Sequence, residues 1–262
     1  MKSLKQAPEA DDFPVGVRAP AVVRAASVLR LLADERAGLG VTEIARRVGL
    51  VPSTCLHVLR ALVDEGFLTF DDQKKTYGTG VGLLTLARDT LAGADFPKAV
   101  QPVLDDLAAG HHVTAVAVEL DRGSRMVVVA QARANSFISL HVSVGSRFPA
   151  FTSAPGLCVA AASGLGKEAL KRRFEAVRWQ KPPRFEDWYA DVQRARSEGV
   201  AAERNSAVRG LSIVAALLPG GIRRNMRGIA LIGFEHHMTE RMIRQLKDVV
   251  KEAVQGAANL LN

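Results

Sequence analysis

The chain has 262 residues, 48% of them hydrophobic, and a formal charge of +8. That apolar content can bury a sizeable core in one large or two smaller domains, and no stretch approaches the roughly 20 apolar residues of a membrane span. Two cysteines, Cys55 and Cys158, are expected in different domains, so a structural disulfide is not expected, and the polar N-terminus without a signal-peptide core points to the cytoplasm.

Residues 1–17 read as a mobile arm. From Ala21 to Leu32, Val22, Ala25, Val28, Leu29 and Leu32 share one helical face. A second helix is expected to open at Thr42, whose hydroxyl can accept from a first-turn N–H, with Ile44, Ala45 and Val48 buried. Gly49 ends it, because glycine enters the left-handed region without a Cβ penalty. A third helix starts at Pro52, where a missing N–H costs nothing, and turns Cys55, Val58, Leu59 and Leu62 inward. Phe67 to Phe70, the polar turn Asp71 to Lys75 and Thr76 to Thr79 follow as a hairpin, completing the outline of a winged helix-turn-helix over residues 18–80.

The outward face of the third helix is Ser53, Thr54, Leu56, His57 and Arg60, a set suited to a major groove. Ser53 and Thr54 lie near a helix N-terminus, where phosphate is favoured; Leu56 can touch a thymine methyl; His57 and Arg60 can donate to bases or phosphates. Thr42 and Arg46 on the second helix and Lys74 and Lys75 in the wing are further candidate DNA contacts. Residues 1–90 carry 12 Lys and Arg against 11 Asp and Glu, but residues 18–60 hold seven arginines against three acids, the local excess that phosphate contact requires. Most of the charge surplus lies beyond residue 90, where it can serve an anionic ligand, further DNA contact or a merely solvated surface.

Residues 81–92 read as a linker helix with Leu83, Leu84, Leu86 and Ala87 covering more than one narrow face, which predicts pairing with a second subunit. Residues 93–262 form the second domain. Its expected elements are a helix from Pro97 to Ala109, strands Val113 to Leu120, Met126 to Ala130 and Phe137 to Val144, helices Pro155 to Ser163, Lys167 to Val177 and Phe185 to Glu198, strands Leu211 to Leu218 and Ile229 to Phe234, and a last helix Thr239 to Leu261. Antiparallel strands with helices to one side make the domain α+β.

Catalysis finds little support: there is no GxSxG, P-loop or Rossmann glycine pattern, Ser153 resembles a nucleophile only superficially, and Cys158 lies in an apolar helix as a buried, inert thiol. The histidine pairs His111/His112 and His236/His237, read as strand residues, would each give at most one ligand to a side, so neither a metal nor another cofactor is expected.

The strings TEIARRVGLVPSTCLHVLRALVDEGFL, TGVGLLTLA, VSVGSRFPAFTSAPGLCVAAAS and RARSEGVAAERNSAVRGLSIVAALL together resemble the IclR family of bacterial transcriptional regulators from about Val22 to the C-terminus. The resemblance implies a winged helix-turn-helix, a linker helix that pairs subunits, a C-terminal GAF-like sheet domain binding a small organic effector, and homodimers or homotetramers on palindromic double-stranded DNA operators. It also implies an effector site lined by Ser153, Ala154, Pro155 and Gly156, by Glu203 or Arg204, and by strands around Ile213, Ala230 and Ile232. Pro155 offers no N–H where relatives have one, and Ala230 and Ile232 stand where relatives tend to have serines. The expected effector therefore has apolar or aromatic bulk, with a carboxylate held at the helix N-terminus near Gly156. The alternatives are a second domain that binds nothing and serves only oligomerisation, or, less favoured, an enzyme.

Overall fold

The computed structural model describes residues 19–35, 37–92, 95–121, 125–134, 140, 142–177, 179, 182–205, 208–220 and 226–261. The chain divides into two compact units, one ending at residue 93 and the other running from residue 94 to 262.

The first unit is built from α1 (Pro20–Asp34), α2 (Val41–Val48), α3 (Pro52–Asp64), β1 (Leu68–Asp71), β2 (Thr76–Thr79) and α4 (Gly82–Ala92). The second helix begins one residue before Thr42. Gly40 is its N-cap, no side chain caps it, and Thr42 is an exposed first-turn residue. Gly49 terminates α2 at φ 70°, as its lack of a Cβ allows, and Pro52 starts α3. Val28 and Leu32 of α1, Ile44 and Ala45 of α2, and Cys55, Leu59 and Leu62 of α3 close a core onto Leu68 and Tyr77 of the wing. At roughly 1.5–3 kcal/mol for each fully buried large apolar side chain, these contacts hold three short helices that would be marginal alone.

The wing turn is organised by Asp71, whose Oδ1 accepts from the backbone N–H groups of Gln73 and Lys74, each at 3.0 Å. Leu39 bridges to Tyr77 through N–H donations of 3.0 and 2.8 Å, adding a one-residue third strand to the hairpin.

The second unit comprises α5 (Asp95–His111), β3 (Thr114–Leu120), β4 (Arg125–Arg133), β5 (Arg147–Pro149), α6 (Ser153–Ala162), α7 (Lys167–Glu175), α8 (Phe185–Glu198), β6 (Ala201–Arg204), β7 (Leu211–Leu217), β8 (Arg227–Phe234) and α9 (Glu240–Asn259). The six strands form one antiparallel sheet in the order β5-β4-β3-β8-β7-β6. Half of the strand expected over 137–144 falls outside the described residues, as does the whole 1–17 arm; the strand's described residues, 140 and 142–144, are not in a strand, and the next strand is β5.

Helices cover both faces of this sheet, not one side as the sequence pattern suggested. Ala115, Ala117, Val214, Ala216, Ile229 and Leu231 pack against α5 and α9, whereas Val116, Val118, Ile213, Ala215, Ala230 and Ile232 pack against α6, α7 and α8. The reason is visible in β3 and β8, which are apolar at successive positions, so neither face can be left to water. Residues Thr239 and Gly156 illustrate two local determinants. The Thr239 hydroxyl caps α9 by accepting from Met242 N at 3.2 Å. A Cβ on Gly156 would meet the backbone of Phe151 and Ala150 at 2.8 and 2.9 Å, so glycine is what lets α6 lie against the turn that precedes it.

Candidate nucleic-acid interface and effector cavity

Ser53, His57 and Arg60 are exposed on α3, each about one helical turn from the next, opposite the buried Cys55, Leu59 and Leu62. Arg60 has no ion pair among the described residues, and Thr54 is half-buried near the helix start. Leu56 is also half-buried: with Arg60, Phe70, Lys75 and Tyr77 it lines a groove of about 380 Å³ between α3 and the wing.

Arg46, by contrast, donates through Nε and Nη2 to both oxygens of Glu43 at 2.9 and 2.7 Å, and Arg47 bridges Glu43 and Glu35. The two guanidinium groups, Arg46 foremost, hold the Glu43 carboxyl well below its usual range, at about 2. Lys75 pairs with Asp72 at 2.6 Å and Lys74 with Asp71 at 3.6 Å. The cations expected to meet phosphate are thus of two kinds. Arg60 is solvated and available, whereas Arg46, Lys74 and Lys75 each already have a carboxylate partner.

In the second unit, α6, α8, β6 and residues preceding α8 line an open-sided cavity of about 330 Å³. Its walls are Leu157, Trp179, Pro182, Pro183 and Trp188; its polar lining is Ser153, Asp187, Asp191, Glu203 and Asn205. Trp188 is only 4% exposed, donates its indole N–H to Phe151 O at 3.2 Å, and packs within an aromatic cluster with Phe174 and Phe185. Trp179 donates its indole N–H to Phe174 O at 2.9 Å. Two lining residues, Ser153 and Asn205, hold positive φ of 61° and 57°, a backbone conformation that non-glycine residues adopt at a cost.

Of the expected effector residues, Ser153 and Glu203 line this cavity. Ala154, Pro155 and Gly156 are buried within α6, and Ile213, Ala230 and Ile232 form the sheet floor beneath the helices, with Ile213 opposite Ile232 across β7 and β8. Strand alternation separates the two candidates on β6: Glu203 faces the cavity, and Arg204 turns to the other face, where it pairs with Glu240 and donates to Met238 O. Sequence reasoning missed Trp179, Pro182, Pro183, Asp187, Trp188, Asp191 and Asn205. The one hint was that both tryptophans of the chain lie within a few residues of the Pro182-Pro183 pair.

Cys158 is buried, donates to Ala215 O at 3.2 Å, and has its thiol pushed up to about 12 by burial, so no thiolate is available there. The histidine pairs are not strand residues. His111 ends α5 and His112 has a φ of 55°, while His236 and His237 follow β8 with ring centroids 4.0 Å apart. Among the described residues no group of three or more His, Cys, Asp or Glu is placed to hold a metal ion. No helix among them is long and apolar enough to cross a membrane.

A winged helix-turn-helix joined to a helix-covered antiparallel sheet with its own cavity defines a two-domain transcriptional regulator. The chain matches the IclR helix-turn-helix domain over residues 21–72 and the bacterial transcriptional regulator IclR C-terminal domain over residues 88–258. It belongs to the IclR family of transcriptional regulators. It is 27% identical over 245 residues to the glycerol operon regulatory protein of Streptomyces coelicolor, covering 91% of this chain and 93% of the relative. Among solved structures, an IclR transcriptional regulator from Alicyclobacillus acidocaldarius superposes with a TM-score of 0.81 at 25% identity, covering 94% of this chain and 100% of that one. An IclR homologue from Microbacterium hydrocarbonoxydans, complexed with 4-hydroxybenzoate, has the same fold, with a TM-score of 0.71 at 17% identity over 92% of this chain and 98% of its own.

Proposed function

We propose that the chain binds a palindromic DNA operator as a homo-oligomer through α3 and the wing, and that a small organic effector seated beside α6 changes that affinity. The observation that carries the effector half is the cavity itself: a space of about 330 Å³ with aromatic walls and a few convergent polar groups is of the size and kind that takes a small molecule. The complex of the Microbacterium hydrocarbonoxydans homologue with 4-hydroxybenzoate supports an effector with aromatic bulk.

On the DNA side, Arg60 and His57 enter the major groove, Ser53 and Thr54 approach phosphate at the start of α3, and Thr42 with Arg46 flanks them. Lys74 and Lys75 reach the backbone only by leaving Asp71 and Asp72. Val81, Leu84 and Leu86 are exposed along the start of α4, an apolar face that pairing with a second subunit would cover.

Selection from a random DNA library with the full chain tests this function. An enriched inverted repeat, whose affinity falls steeply with salt and changes when a small molecule stabilises the protein, is expected. Failure to enrich any sequence, or a monomer in sedimentation at micromolar concentration, would overturn it.

A further inference from the structure

Resting on the DNA-binding function proposed above, we infer that the groove between α3 and the wing seats one sugar–phosphate strand of the bound DNA. Phe70 and Tyr77 lie against a deoxyribose, and the Tyr77 hydroxyl donates to a phosphate. The wing thereby supplies a sequence-independent grip that does not depend on its lysines.

The groove holds about 380 Å³, within the range of binding clefts, and residues 37–80 around it are described throughout. Leu56, Arg60 and Val63 line it from α3, at the spacing of one helical stripe. Arg60 also belongs to the exposed stripe of Ser53 and His57, so it stands on the lip between the two. Across the groove, Phe70 and Tyr77 are cross-strand partners with ring centroids 4.7 Å apart. Leu68, on the same face of β1 as Phe70, is buried in the core, so the inner face of the wing runs apolar from the core outward and is left uncovered at its end. Two features there do not serve folding. Phe70 is 41% exposed, and Tyr77, only 7% exposed, has a hydroxyl that bonds to no described residue. A polar residue at 70 and phenylalanine at 77 would suit the fold as well.

An α-helix lying in a major groove about 12 Å wide has a sugar–phosphate strand on either side of it. With Ser53 and His57 turned to the bases, an element set beside α3 meets the strand that bounds that groove, and the space between α3 and the wing is where the strand passes. A deoxyribose offers C–H surface to Phe70 and Leu56, and its phosphate accepts from Tyr77 and faces the Arg60 guanidinium. Asp64 is the one carboxylate among the lining residues. Lys75 lies 5.9 Å from the Phe70 ring centroid and is shared with Asp72, so the strand's charge is met chiefly by Arg60.

The test uses the full chain with the operator it selects and with a random-sequence duplex of the same length. Phe70→Ala should weaken binding to both by about fivefold or more, and Tyr77→Phe, which removes one hydroxyl, by about threefold or more. Neither should alter the slope of log affinity against log salt, because neither contact releases a counterion. Melting temperatures should stay close to that of the unmodified chain, since Phe70 is exposed and the Tyr77 ring is kept. Replacing the operator's phosphates one at a time by neutral methylphosphonate should reveal one position in each half-site where the replacement costs Tyr77→Phe less than it costs the unmodified chain. Unchanged affinity in both variants, a Phe70→Ala loss confined to the operator, losses that track a fall in melting temperature, or the absence of such a phosphate would overturn the inference. Loss of binding by His57→Ala with both groove variants unaffected removes the groove and leaves the operator function standing. Weakened binding of both groove variants to the random duplex, with no operator ever selected, does the reverse.

Discussion

Replacing Arg60 with alanine isolates the contribution of the one α3 cation that the structure leaves uncommitted. The side chain is exposed, lies away from the core residues Cys55, Leu59 and Leu62, and has no ion pair among the described residues, so stability should change by less than about 0.5 kcal/mol. If the guanidinium reads a base, its loss costs about 1–3 kcal/mol per site, or roughly 5- to 150-fold in affinity. If it meets a phosphate instead, the slope of log affinity against log salt should fall by about 0.9 for each subunit. Arg46→Ala supplies the contrast. Its guanidinium already holds both oxygens of Glu43, so reaching phosphate means giving up that pair, and the net loss should stay below about threefold. Glu43→Gln, which releases Arg46 and leaves Arg47 paired with Glu35, should strengthen binding and steepen the salt slope. Fluorescence anisotropy on the selected operator between 50 and 200 mM salt, with thermal melts of each variant, measures all three. Unchanged affinity and unchanged slope for Arg60→Ala would refute the placement of α3 on DNA.

Leu59→Ala, at a fully buried position of the three-helix core, should destabilise the first unit by about 2–5 kcal/mol in denaturant unfolding, and a loss below 1 kcal/mol would contradict the packing described. The Glu43 carboxyl should titrate near 2 by NMR; because its folded value lies below the ordinary 4.5, what its pairs with Arg46 and Arg47 add to stability is complete above about pH 4.5 and disappears as pH falls towards 2. A midpoint close to 4.5 would show that those pairs do not persist in solution. Gly156→Ala should lower the melting temperature of the second unit despite its better helix propensity, since the new Cβ meets backbone of Phe151 and Ala150 that no rotamer change can move; a neutral or stabilising result would mean that α6 sits farther from that turn.

The helix-turn-helix was legible because its determinants are local: a 3.6-residue stripe through Ile44, Ala45, Cys55, Leu59 and Leu62, punctuated by Gly49 and Pro52. Thr42 misled about the start of α2 because a hydroxyl near a helix entrance suggests a cap, whereas Gly40 occupies that position without using a side chain. In the second unit the long apolar strands were evident, but β5 and β6 have three and four residues, too few for a period to emerge. The cavity was harder still. Amphipathic periodicity identifies Trp188 and Val192 as the buried side of α8, yet it cannot say that the adjoining Asp187 and Asp191 overlook a space, because that space exists only once α8 packs beside α6 and β6. Resemblance supplied Ser153 and Glu203, and the register of β6 then distinguished Glu203 from Arg204.

The chain has two tryptophans, and both stand in the wall of the same cavity. Light absorbed selectively by indole is therefore absorbed nowhere else in the protein, and the DNA-binding unit is dark at those wavelengths. Whatever enters the space lies against one or both chromophores and displaces water from them, so quenching or a spectral shift counts occupied sites without a label. The single variants Trp179→Phe and Trp188→Phe divide that emission between the outer wall and the buried one. In this molecule the binding site carries its own optical gauge.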